Sequence, residues 1–255
     1  MQGDSALGRA LSLVRDLRAR CPWDAAQTPQ TLRPYLVEEA LELDHAIQSD
    51  DPEALRDELG DVLLHLAFQI VIAEERSQFN AEVVTRSLEE KMWRRHPHLY
   101  AGAQGSDHAG WELVKRREPR AGGKRGTLAG LPPTLPALLA AFRLQERAAG
   151  VGFDWPDAAG PMAKVKEETA EVEREAGAGR QDKLEEEIGD LLFAVVNLAR
   201  KLSVEPNAAL ARANEKFTHR FERVEALAET RGIQIGRATL AELDTLWEEV
   251  KAGGA

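Results

Sequence analysis

Glu38-Glu39-Ala40-Leu41-Glu42 and Glu58-Leu59-Gly60-Asp61 in the first half of the chain return as Glu167-Glu168-Thr169-Ala170-Glu171 and Glu187-Ile188-Gly189-Asp190 in the second. Both blocks repeat at one offset of 129 residues, from 38 to 167 and from 61 to 190. The step of 16 from Glu42 to Glu58 is kept from Glu171 to Glu187. Solubility alone does not hold acids at matched places. The pattern implies a duplicated module built around something cationic.

Outward from these blocks the periodicity is helical. Leu36, Ala40, Leu43 and Ile47 form one apolar stripe, and Leu55, Leu59, Val62 and Leu66 form another. Val165, Thr169 and Val172, and then Leu184, Ile188 and Leu191, repeat them. Asp51-Pro52 and Glu205-Pro206 read as helix starts, Asn80 as the cap of a helix running to about Arg95, and Thr239-x-x-Glu242 as a capping box. No stretch alternates with β-branched enrichment. The expected fold is all-α, with two tandem related helical-bundle domains over residues 1–118 and 128–255 and a flexible linker at 119–127. Pro119, Gly122, Gly123 and Gly126 mark that linker. Its surroundings are locally basic through Lys115, Arg116, Arg117, Arg120, Lys124 and Arg125, which reads as a solvated hinge.

Composition narrows the class. The chain has 255 residues, 43% hydrophobic and 30% charged, with a formal net charge of −10. That balance argues against general nucleic-acid binding. No apolar run approaches the roughly 18 residues of a membrane span. The first twenty residues mix charges with apolar residues and do not read as a secretory signal. Cys21 is the single cysteine, which excludes an intramolecular disulfide and a cysteine-rich zinc site. The cytoplasm is the expected compartment.

Residues three apart on a helix share a face. Glu39 with Glu42, Glu58 with Asp61, Glu168 with Glu171, and Glu187 with Asp190 are such pairs. If the stripes pack as a hairpin, four carboxylates converge at the seam of each half. Clustered carboxylates raise one another's pKa unless a cation compensates. Oxygen ligands without cysteine or a histidine set favour Mg²⁺, with Mn²⁺ as a substitute. A di-iron site would need Glu-x-x-His on two helices. Glu42 and His45 have that spacing, but Arg174 stands at the matching place in the second half. His65, one turn beyond Asp61, reads as a packing or surface residue, and His96 and His98 as helix-end residues.

A basic and aromatic set completes the pattern. Lys216 and Arg220 are four apart, as are Trp247 and Lys251. First-half counterparts are Lys91 and Arg95 at an offset of 125, and Trp111 and Lys115 at 136. Arginine grips phosphate oxygens bidentately and lysine supplies a point charge. Beside a metal cluster they describe a polyphosphate site.

With Cys21-Pro22-Trp23-Asp24, Arg94-Arg95-His96-Pro97-His98, Val151-Gly152-Phe153-Asp154-Trp155 and Lys216-Phe217-x-x-Arg220-Phe221 added to the acidic blocks, the chain resembles the MazG family of the all-α NTP pyrophosphatase superfamily. The resemblance covers essentially the full chain. It implies Mg²⁺-dependent hydrolysis of nucleoside triphosphates between the α- and β-phosphates, giving NMP and pyrophosphate, in a homodimer. It implies Glu168, Glu171, Glu187 and Asp190 as metal ligands of the second half. Glu39, Glu42, Glu58 and Asp61 are their first-half equivalents. Lys216, Arg220, Trp247 and Lys251, with Lys183, would contact nucleotide, and Glu167 or a ligand carboxylate would take the proton of the attacking water. The resemblance attributes activity mainly to the C-terminal domain. Alternatives are a regulatory hydrolase of (p)ppGpp or of a modified nucleotide, and a non-catalytic helical binding or scaffold protein.

Overall fold

The computed structural model describes residues 5–100 and 126–253. The chain divides into two compact units, Met1–Gly105 and Ser106–Ala255. Helix and turn make up the described residues, with no strand among them. The proposed linker at 119–127 and the basic run around it lie largely outside the described residues, as do Trp111 and Lys115.

The first unit runs α1 (Ala6–Arg20), α2 (Pro22–Ala25), α3 (Pro29–Ser49), α4 (Pro52–Glu75), α5 (Ala81–Arg95) and α6 (Pro97–Tyr100). Each long helix has a chemical start. The Thr28 hydroxyl accepts from the Thr31 N–H in a reciprocal capping box, and Pro29 follows at the first helical position. The Asp51 carboxylate accepts from the N–H groups of Glu53 and Ala54. Asn80 accepts from the Val83 N–H at 3.0 Å. Helices α3 and α4 form a hairpin whose tight turn passes through Asp50 in the left-handed region, at φ 54. Helix α1 lies along α4. Leu11 and Val14 pack there with Leu32, Phe68, Val71 and Ile72. Arg15 to Glu74 and Arg18 to Glu75, each at 2.7 Å, fix α1 against the end of α4.

The second unit runs α7 (Ala137–Ala149), α8 (Ala159–Ala178), α9 (Gln181–Lys201), α10 (Pro206–Thr230), a 3₁₀ turn (Ile235–Arg237) and α11 (Leu240–Ala252). Helices α8 and α9 form the second hairpin. Its turn residue is Gly179, also left-handed at φ 66, and 129 residues beyond Asp50. The backbone needs the same conformation in both halves, and glycine adopts it without a Cβ penalty. Buried Glu175 accepts from Arg180 at 2.6 and 2.7 Å and from Arg174 at 3.2 Å, tying the turn to α8. Helix α7 packs on α9, and α10 packs on α11 through Val224, Ala228, Leu246 and Val250. The Glu205 and Thr239 caps form as the sequence predicts, with Glu205 accepting from Ala208 N–H and Thr239 from Glu242 N–H.

The predicted apolar stripes are only partly covered. Ile47, Leu59 and Leu66 are exposed, as is Ile188. Helix length and register follow the pattern, but the stripe is wider than one partner helix covers.

Candidate active site

Each hairpin carries its acids at facing positions of its two helices. In the first unit the carboxylate oxygens of Glu39, Glu58 and Asp61 lie within 4.8 Å of one another. Glu42 is close enough to act electrostatically on Glu39 and Glu58. In the second unit Glu168, Glu187 and Asp190 form the equivalent group, and Glu167, Glu168 and Glu171 form another along α8. Glu168 belongs to both, and it is 4% exposed. Three of the four acids expected at each seam converge across the hairpin; Glu42 and Glu171 lie outside these cross-helix groups and act on Glu58 and Glu187 electrostatically.

Burial and crowding shape their charge. Burial, then Asp61, Glu42 and Glu58, push the Glu39 carboxyl above its ordinary range. Burial, then Glu42 and Asp61, do the same to Glu58. Burial, then Glu171 and Glu168, raise Glu187. One carboxylate oxygen of Glu58 and one of Glu168 are buried without a hydrogen-bond partner. Buried acceptors without donors, on acids already crowded, match the demands of a hard divalent cation. The residues present fit such an ion.

The two sites differ in what stands beside the acids. In the second, Lys164 of α8 pairs with Glu168 and, at 3.2 Å, with Glu167. The Glu168 bond, then that of Glu167, raises the lysine's pKa. The offset of 129 places Tyr35 at the matching position of the first unit, and pairs His65 with Ala194. The Tyr35 and His65 rings stack at 6.4 Å with an interplanar angle of 10°. His65 is 8% exposed, and its Nε2 lies 3.8 Å from Glu39 Oε1. Burial holds its pKa down, with Asp61 opposing. A stacked aromatic pair thus borders the first acidic group where the second has an ammonium and a methyl.

The predicted nucleotide contacts lie on other helices. Exposed Lys216 and half-buried Arg220 are on α10, and the Arg220 Nε is buried without a partner. Trp247 of α11 packs on Phe217, with ring centroids 5.4 Å apart. Lys251 bonds Glu248 at 2.7 Å. Lys183 of α9 bonds Glu186 at 2.5 Å, one turn before Glu187. Among the described contacts, none ties the α10 and α11 set to the carboxylates. Arg174 bonds Glu171 at 3.3 Å, so the place of His45 in the second unit holds a cation.

Sequence reasoning passed over Lys164, although it stands four residues before Glu168. It also passed over Gln145 of α7, which is buried beside α9. A lysine ahead of a glutamate is ordinary on a helix, and nothing in the local sequence marks Gln145 as buried.

Comparison with known proteins bears on this geometry. The model of the MazG nucleotide pyrophosphohydrolase domain matches residues 27–100 and 160–225. These segments contain the two acidic hairpins. The chain is 43% identical over 246 residues to the nucleoside triphosphate pyrophosphohydrolase/pyrophosphatase MazG of Thermotoga maritima, covering 95% of this chain and 94% of that one. It is 40% identical over 244 residues to the nucleoside triphosphate pyrophosphohydrolase of Escherichia coli K12, covering 93% of each. It also matches the uncharacterized protein YabN of Bacillus subtilis, 40% identical over 94% of this chain and 50% of that protein. With the acidic hairpin found twice, matched twice by the family model and retained in full-length similarity, the chain belongs to the MazG nucleotide pyrophosphohydrolase family.

Proposed function

We propose that this chain hydrolyses nucleoside triphosphates to NMP and pyrophosphate, using Mg²⁺ held by Glu168, Glu171, Glu187 and Asp190. The observation that carries the reading is the convergence of Glu168, Glu187 and Asp190 from two helices within 4.8 Å. The names of the full-length relatives support it. Bound there, Mg²⁺ supplies charge neutralisation for a triphosphate and lowers the pKa of water. Glu168 and Asp190 would hold the cation, with Glu168 free of its bond to Lys164. Glu167, or one of the ligand carboxylates, takes the proton of the attacking water on a carboxylate oxygen. Water oxygen joins the α-phosphorus, and the bond to the bridging oxygen of pyrophosphate breaks. Lys216, Arg220 and Lys251, with Lys183, bind phosphate oxygens, and Trp247 contacts the nucleoside.

The second unit is the main catalytic one in this reading. A cavity lined by Phe153, Trp155 and Phe193 adjoins Glu168 and Asp190 there, whereas the cavity beside Glu42 and Glu58 in the first unit has no Phe, Tyr or Trp in its lining and the Tyr35–His65 stack borders Glu39. Two copies pair through the exposed apolar side chains of the hairpins, among which Leu41 is 63% and Leu192 is 55% exposed. Domain limits of 1–118 and 128–255 around a linker at 119–127 belong to this reading, as does the cytoplasm as its compartment, since a nucleotide-pool substrate is found there.

Incubation of the full chain with a panel of NTPs and Mg²⁺ tests the reaction. NMP and pyrophosphate are expected. NDP with orthophosphate contradicts the bond assignment, and no turnover with Mg²⁺ or Mn²⁺ contradicts the hydrolase reading.

A further inference from the structure

We infer that His65 joins the acids of the first unit in a mixed oxygen–nitrogen site, and that this site discriminates for a transition ion such as Zn²⁺ over Mg²⁺ more strongly than the second unit does. The inference concerns the metal alone and does not rest on the triphosphate reaction.

The register of α4 sets the ligands out. Glu58, Asp61 and His65 stand at i, i+3 and i+7, so they share one face of that helix. The four-residue step from Asp61 to His65 is one that lets two helical side chains reach a single ion. Glu39 faces them from α3, with its carboxylate within 4.8 Å of those of Glu58 and Asp61. His65 Nε2 lies 3.8 Å from Glu39 Oε1. An ion about 2.1 Å from each of two ligand atoms holds them about 3.0 Å apart at a right angle and about 4.2 Å apart when opposed. The observed separation falls inside that span, and Glu39 is the member that links the acids to the imidazole.

No bond within the described residues accounts for the burial of this imidazole. His65 is 8% exposed, and its Nδ1 is buried without a hydrogen-bond partner. The distance from Nε2 to the carboxylate is beyond hydrogen-bond range. A buried polar ring in that condition is costly unless a ligand meets it. Tyr35 stacks on the ring and holds its orientation, as a coordinating histidine requires.

The repeat supplies the contrast. Glu168, Glu187 and Asp190 match Glu39, Glu58 and Asp61, but Ala194 stands at the place of His65 and Lys164 at that of Tyr35. Imidazole suits Zn²⁺ and its neighbours, whereas carboxylate oxygens alone suit Mg²⁺. Duplication has thus left one chain with two acidic hairpins of different ligand chemistry.

Calorimetric titration of the metal-free full chain carrying Glu187→Gln and Asp190→Asn, with Zn²⁺ and with Mg²⁺, reads the first site with the second disabled. Adding His65→Gln should weaken Zn²⁺ by at least about tenfold and leave Mg²⁺ nearly unchanged. Unchanged Zn²⁺ affinity would overturn the inference. An equal loss for both ions would also overturn it, because His65 would then act on the fold and not on the metal. Proton NMR of the otherwise unaltered chain, saturated with Co²⁺, tests ligation directly. Hyperfine-shifted imidazole signals that disappear in His65→Gln are expected. Their absence, or a spectrum that His65→Gln leaves unchanged, would refute nitrogen ligation by this residue.

Discussion

Lys164 and Tyr35 hold equivalent places in the two halves, and they set the sites apart more than the carboxylates do. An ammonium against Glu168 compensates a buried anion in the absence of metal. Lys164→Met should therefore lower the melting temperature of the metal-free protein, and Mg²⁺ should raise it more in the variant than in the wild type. An equal Mg²⁺-induced shift in both would show that Lys164 does not compensate the site. Asp154 makes a different prediction. Its bond with Arg200, then that with Lys201, holds its carboxyl below the ordinary range. The folded pKa is the lower one, so the stabilisation is fully present above the unfolded value of about 3.9 and is lost as pH falls through the folded value. Asp154→Asn should cost at most about 1 kcal/mol near neutral pH by denaturant unfolding, since solvent screens an exposed ion pair, with the difference vanishing in acid. A difference that persists unchanged in acid contradicts this origin. The acids themselves were legible in the sequence, because a period of 129 and helical spacing constrain them. Lys164, Gln145 and Tyr35 were not, because their roles depend on which helix lies opposite.

At the scale of the element, caps and turns were the most legible features. Asp51, Asn80, Glu205 and Thr239 each carry a side chain that accepts the hydrogen bond expected of it. That chemistry is local and needs no tertiary partner. The loop from Gly152 to Trp155 was legible as a motif but not as a wall of a cavity, since its anchors Arg200 and Lys201 are some 46 residues away. Gly160, in the first turn of α8, lies against the Trp155 ring, and a Cβ there would overlap it. Gly160→Ala should displace Trp155 and raise KM for NTP several-fold, although alanine favours the helix by about 1 kcal/mol. Steady-state kinetics check it. An unchanged KM would separate Trp155 from substrate binding.

For the whole molecule, the internal offset and helical periodicity forecast two all-α halves, and the structure has two helical units with matching hairpins. A shorter connection before α10 was also readable, from the offset of 125 against 129, and the helix starts at Ala81 and Pro206 keep it; the offset of 136 falls on Trp111 and Lys115, outside the described residues. The extent of stripe burial was not, because periodicity gives the direction of an apolar face but not its partner. Exposed Leu41, Leu66, Ile188 and Leu192 lead to the expectation of a dimer by analytical ultracentrifugation. A strict monomer at micromolar concentration would contradict pairing through those faces. If the second hairpin performs the chemistry, pyrophosphate release from NTP at saturating Mg²⁺ should separate Asp190→Asn from Asp61→Asn. Turnover should fall by at least about a hundredfold in Asp190→Asn, as for other groups that act in the transition state, and stay near normal in Asp61→Asn. Normal turnover in Asp190→Asn, or its loss in Asp61→Asn alone, would contradict it.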